Sequence, residues 1–266
     1  MVLRWRVRLL FGVIAVAAYF VIVDRSGVKA LPPIRNPTSN SSIAQRTWDI
    51  CIAGNPSAGV PVDEYPQSFN PATVVNSPAC EQTMLAEINQ RHVAEGIAAM
   101  KLPPNFSSLS AAMQLVTALN AERISRKLVP ISGMVASLNA DSNTAAYRGT
   151  DPNPSKADGN WSEYNSIWAG GYQSALMADF DWMYNDGWGG SAAQTINVDC
   201  KSVHDKSCWG HRDAILANYS LQPGDVLVAG GAVVTSGPRS LSLPSWAAAF
   251  ESVPGNEISA LVPVAR

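Results

Sequence analysis

Charge is scarce in this chain: 15% of its 266 residues are Asp, Glu, Lys or Arg, and the net charge is only -2. After Arg4, Arg6 and Arg8 no Lys/Arg cluster recurs, so the electrostatic footprint of a nucleic-acid binder is missing. Histidine is scarcer still, with His92, His204 and His211 the only three, which confines imidazole chemistry to those positions. There is no Cys-x-x-Cys pair, no Gly-x-Ser-x-Gly elbow, and no Walker, His-Glu-x-x-His or EF-hand pattern. Zinc-ribbon, elbow-serine, nucleotide, zincin and calcium chemistry therefore have no motif to rest on. No repeat of fixed period occurs either.

What is abundant is apolar surface: 47% of residues are hydrophobic, enough to fill a substantial core at this length. The first apolar stretch, Leu9 to Val23, follows the three arginines and has no polar face. That is the layout of a secretory leader, and it is also nearly long enough for a membrane anchor. Residues 1–30 are thus expected to be a signal peptide or membrane anchor, with Val28-Lys29-Ala30 as the candidate cleavage region, and the protein to be secreted or membrane-anchored. Membrane contact is expected only through this segment. In an exported chain the four cysteines, Cys51, Cys80, Cys200 and Cys208, are expected to oxidise. Pairing Cys51 with Cys80 and Cys200 with Cys208 closes the shortest loops, and oxidation leaves no thiolates for zinc.

Residues 31–47 are rich in Pro, Asn and Ser and are expected to be a flexible linker, and 48–106 an irregular N-terminal extension that ends in a helix. In that helix Met84, Leu85, Ile88, Val93 and Ile97 recur at helical spacing, with His92 as a structural histidine beside the apolar face. A second helix, capped by Ser107 or Ser108, turns Leu115, Val116, Leu119 and Ile124 inward, and a third spans Ser132 to about Ala146. The stretch from Thr150 to Gly159 is a surface loop. Ser174 through Asn185 is a helix with Leu176, Met177, Phe180, Met183 and Tyr184 on its apolar face, and Gly187 to Ser207 a loop clipped by the second disulfide. The β-branched run Val226 to Val234 and the segment Ser245 to Ser252 finish the body as paired strands. Helices first and strands last make the fold class α+β. Asn40, Asn105, Asn160 and Asn218 open glycosylation sequons.

The candidate site lies at Cys208-Trp209-Gly210-His211-Arg212-Asp213, where an imidazole follows a glycine and leads an apolar segment. Nine of the 21 aromatics fall between Trp161 and Trp209. Trp161, Trp168, Trp188 and Trp209 are therefore expected to line a ligand-binding cleft with His211, while Trp182 packs inside. Arg212 and Asp213 are expected to support the start of the following segment by pairing or capping.

Several stretches are similar to a known family. Leu119-Asn120-Ala121-Glu122-Arg123-Ile124 with Leu128-Val129-Pro130-Ile131 resembles the first-helix signature of the CAP superfamily, the cysteine-rich secretory or SCP-like domains. Ser166 to Gly171 stands where that family has Gly-Glu-Asn-Ile-Ala, and Asp181-Trp182-Met183 resembles its tryptophan helix. Gly210-His211-Arg212-Asp213-Ala214-Ile215-Leu216 is similar to the bacterial Gly-His-Arg-x-Asn-Ile-Leu motif, with Ala214 in place of asparagine, and Ser245 to Phe250 to the last aromatic strand. The resemblance implies that residues 107–266 form a CAP/SCP-like domain, a three-layer α-β-α sandwich with a central cleft. In many members that cleft holds two histidines and two acids able to bind a divalent metal.

Here the set is incomplete. His211 matches, but no histidine lies between Leu109 and Gly159, and the expected acid falls near Ser166. Zinc takes three or four protein ligands, so metal-dependent hydrolysis loses its basis unless Glu163, Asp179 or Asp181 replaces the acids and His204 the histidine. The expectation is an extracytoplasmic binding or structural module without cofactor, taking a lipid, glycan or peptide in its cleft. The alternative is an extracytoplasmic metal-assisted hydrolase, with His211 as base or metal ligand and Glu163, Asp179 or Asp181 as its acidic partner.

Overall fold

A computed structural model describes residues 34–37, 40, 51, 78–154, 161–192, 195–237, 244–258 and 260–264. The expected export segment, most of the linker and most of the segment between the first two cysteines lie outside these residues, as does Asn160. Among the described residues no helix is long and apolar enough to cross a membrane.

The chain is α+β, built on a five-stranded mixed sheet in the order β2-β4-β3-β1-β5. The strands are β1 (Gly133–Met134), β2 (Glu163–Gly170), β3 (Asp225–Val234), β4 (Ser245–Pro254) and β5 (Val262–Pro263). The long strands β2, β4 and β3 pair antiparallel, and β1 lies parallel to β3. Around them stand α1 (Pro78–Glu95), α2 (Ala111–Ser125), α3 (Ala136–Arg148), α4 (Ala175–Tyr184) and the short α5 (Gly210–Ile215).

Strand alternation sorts the core into two sides. From β3 and β4, Leu227, Ala229, Trp246, Ala248 and Phe250 join the main core with α1, α2 and α4. Their neighbours Val228, Ala247, Ala249 and Val253 pack with α3 in two smaller clusters. Two consecutive glycines let helices press on both faces. A Cβ on Gly230 would lie 2.2–2.4 Å from the backbone and Cβ of Leu138 in α3, and one on Gly231 would meet Val116 Cγ2 at 2.9 Å and the Ala112 carbonyl at 3.1 Å in α2.

Local signals explain the helix ends. Ser110 caps α2 by accepting from Met113 N–H, two residues beyond the later of the expected caps Ser107 and Ser108, which instead lie in a short 3-10 turn. Ser174 caps α4 by accepting from Met177 N–H. The third helix begins later than its sequence pattern, because Gly133 and Met134 are drawn into the sheet beside β3, and it stops at Gly149 in the left-handed conformation, φ 70°. Both disulfides form as expected, Cys51–Cys80 and Cys200–Cys208, which points to an oxidising, extracytoplasmic setting.

Candidate functional site

The geometry around His211 begins with an aspartate. Asp186 follows the C-terminal end of α4, and its buried carboxylate accepts four hydrogen bonds: Oδ1 from His211 Nδ1 at 2.6 Å and Asn197 Nδ2 at 2.8 Å, Oδ2 from the backbone N–H of His211 at 2.8 Å and Arg212 at 3.3 Å. One side chain thus caps α5, fastens the disulfide loop and fixes the imidazole. Because Nδ1–H donates to Asp186, the neutral ring carries its lone pair on Nε2. No described residue bonds that nitrogen, and the side chain is 23% exposed. A base held by a buried carboxylate is the orienting half of a general acid–base site.

The surroundings hold more acid. Burial works against a charged ring, but the hydrogen bond and charge of Asp186, with Asp151 and Asp181 behind it, outweigh burial and raise the His211 pKa above its ordinary value. Asp181, on α4, is pushed up to about 7 by burial and by the Asp186 charge, against the hydrogen bonds from Tyr172 and Asn185. Trp182 stacks on the imidazole with ring centroids 6.3 Å apart. Backbone strain is stored beside it: Trp209 sits at φ 68°, donates its N–H to the Asp186 carbonyl, and lays its ring where a Cβ on Gly187 would be, 2.3 Å away.

The other sequence candidates disperse. Of the acids proposed to partner His211, Asp181 acts on it through its charge, Glu163 is exposed at the far end of β2, where it accepts from Ser220 N–H, and Asp179 belongs to a separate buried cluster. His204 is exposed in the disulfide loop. Trp188 and Trp209 lie two residues after Asp186 and two before His211 and are half-buried, whereas Trp161 and Trp168 pack in the clusters on the α3 side of the sheet. For Trp168 the reason is alternation: its neighbours Ile167 and Ala169 face the main core. The partner the ring does use, Asp186, sits in an Asn-Asp-Gly sequence that reads as an ordinary turn.

The separate cluster gives His92 its structural role. Its Nδ1 donates to the Ala98 carbonyl at 2.6 Å and its Nε2 lies 2.9 Å from Glu122 Oε2. Glu122 also accepts from Arg126 and from the Tyr184 hydroxyl. Burial would raise the Glu122 pKa, but the Arg126 charge and the His92 hydrogen bond overcome it and hold the carboxyl at about 2. Asp179 beside it has no donor on either oxygen, and burial together with the Glu122 charge pushes its pKa well up, favouring the neutral acid. Arg212 joins this cluster to the site: its guanidinium, fully buried, donates to Glu95 Oε1 at 2.9 Å and to the Met183 carbonyl at 2.7 Å.

Asp186 takes Nδ1, no second histidine joins Nε2, and among the described residues no three His, Cys, Asp or Glu side chains come together to hold an ion. Comparison of the chain with family models, curated proteins and solved structures yields no match.

Proposed function

We propose that the chain is an exported CAP-like domain, a three-layer α-β-α sandwich, that carries an acid–base site for hydrolysis at His211 and Asp186. The observation that carries the reading is the 2.6 Å contact between the buried Asp186 carboxylate and His211 Nδ1. It leaves Nε2 to take a proton from water as the water oxygen attacks a scissile carbon; Asp186, Asp181 and Asp151 stabilise the imidazolium, which returns the proton to the leaving alcohol or amine as its bond to that carbon breaks. This departs from the metal-assisted form of the idea, since no step runs through an ion.

The CAP-like part rests on motifs that meet in space. Arg123 of the first-helix signature donates from Nη1 to the carbonyls of Ile215 and Ala217, at the end of the Gly-His-Arg helix, at 2.6 and 3.0 Å. Asn120 accepts from Ile131 N–H at 2.7 Å, tying the signature to its own Leu128 to Ile131 half. Residues quoted for one resemblance, far apart in sequence, thus bond one another.

A binding module is the second reading, and half-buried Trp188 and Trp209 beside the pair favour it. A panel of chromogenic esters, peptides and glycosides, turned over by the full chain and by His211→Ala, separates the two. Loss of turnover by roughly 10²–10⁴-fold in the variant is expected of a general base. No turnover with either chain, joined to tryptophan fluorescence changes on adding vesicles or oligosaccharides, would select the binding module.

A further inference from the structure

Three described residues of the linker, Arg35, Asn36 and Asn40, reach the site. Asn40 offers its carboxamide to the peptide of Gly187, donating from Nδ2 to the carbonyl at 2.8 Å and accepting from the N–H at 2.8 Å. Gly187 follows Asp186 directly, and a Cβ there would meet Asn40 Oδ1 at 2.9 Å as well as the Trp209 ring, so only glycine admits this contact. Nearer the N-terminus, the Arg35 carbonyl accepts from Arg212 Nη2 at 3.4 Å and the Asn36 side chain bonds Asp213. Arg212 and Asp213 are the two residues after His211. Arg35, Asn36 and Asn40 therefore bond the residue after the acid and the two residues after the base.

We propose that Asn40 is a positioning residue for the His211–Asp186 pair, and that Arg35, Asn36 and Asn40 together act as a strap whose retention sets the geometry of the site. The inference rests on the acid–base reading of that pair. A 2.6 Å hydrogen bond tolerates little drift of either partner, and Asp186 stands on a turn between α4 and a long loop, where the Gly187 peptide is the next unit to move. Asn40 clamps that peptide at both of its polar groups, as a neighbouring strand would. The groups around the ring are Asp186 and Asp181 with Trp182 from α4 and its end, Asp151 from the loop after α3, and Arg212 from α5. None of these holds Gly187. Cleavage of the export segment near Ala30 leaves the strap in place, whereas trimming beyond Asn40 removes it, so N-terminal processing has a lever on the site. The Asn40 sequon bears on this too, because a glycan on Nδ2 would compete with the bond to Gly187.

The test follows the low-field resonance of the His211 Nδ1 proton in the full chain labelled at histidine nitrogens. Asn40→Ala is expected to speed exchange of this proton with water at least tenfold while the backbone amide spectrum away from Gly187 stays in place. Asn40→Asp, which keeps the acceptor for Gly187 N–H and loses the donor, is expected to fall between that variant and the native chain. Asp186→Asn is the reference, expected to abolish the resonance. Exchange in Asn40→Ala within twofold of native, with the resonance abolished by Asp186→Asn, would overturn the strap and leave the pair standing. A resonance that survives Asp186→Asn would overturn the pair, and the strap with it.

Discussion

His211 and Glu122 are both ionisable groups held by partners, but their pH dependences run in opposite directions. His211 has a raised pKa, so the stability it contributes is fully present below about pH 6.5 and fades as pH rises through the folded value. On the proposed acid–base reading, the same raised value places the neutral base on the alkaline side: the pH–rate profile is expected to climb with a midpoint above 6.5. Asp186→Asn removes the charge that lifts it, and the limb should move toward acid while the rate falls. A limb that stays where it was would show that some other group titrates. Glu122 has a depressed pKa, so its contribution is complete above pH 4.5 and is lost as pH falls toward 2. Glu122→Gln leaves Arg126 and His92 facing a neutral amide in the core, and urea unfolding should register a loss of roughly 3–5 kcal/mol at neutral pH.

At the scale of elements, β3 is squeezed between two helices by its paired glycines. Gly230→Ala drives a methyl into the backbone of Leu138, which has nowhere to go, and should cost about 3 kcal/mol in chemical denaturation. Gly231→Ala meets the movable end of Val116 first and should cost about 1 kcal/mol. Equal losses would mean that α3 shifts as freely as a side chain. The same elements mark what was legible in the sequence. β3 and β4 announce themselves by β-branched and apolar runs, and α4 by its serine cap and apolar spacing, because each signal is local. β2, by contrast, begins Glu-Tyr-Asn-Ser and is a strand only because β4 pairs with it along its whole length. β1 and β5 are two residues each, too short for any periodicity, and exist by their bonds to the sheet. His211 could be singled out from its motif, but Asp186 lies 25 residues away and looks like any turn acid until the fold brings it to 2.6 Å. The long spacing that hid this pair also hid His92 and Glu122, which are 30 residues apart.

Across the whole molecule the two disulfides serve different ends. Cys51–Cys80 spans 29 residues and ties Cys51 to the first turn of α1, so replacing both cysteines with serine should lower stability by about 3.5 kcal/mol on loop-entropy grounds. Cys200–Cys208 spans only 8, and its removal should cost about 2.5 kcal/mol. The shorter bridge, though, lies between Asn197 and His211, two residues that bond Asp186, so on the proposed acid–base reading its loss should show more strongly in turnover than in melting temperature. Calorimetry and kinetics on the two double variants would reveal that division, and a parallel decline in both quantities would refute it.

The strand order has a consequence for how the chain comes into being. Among the described residues β2 has no partner but β4, and β3 has only the two-residue β1 until β4 arrives. The strand that joins β2 to the rest of the sheet, β4, is therefore made almost last, at residues 245–254. A chain emerging in order from the ribosome cannot close its sheet until nearly all of it has been synthesised, and up to that moment it stays open and threadable. For a polypeptide that must cross a membrane before it oxidises its cysteines, late closure keeps the passage free, and the last long strand is what ends the journey.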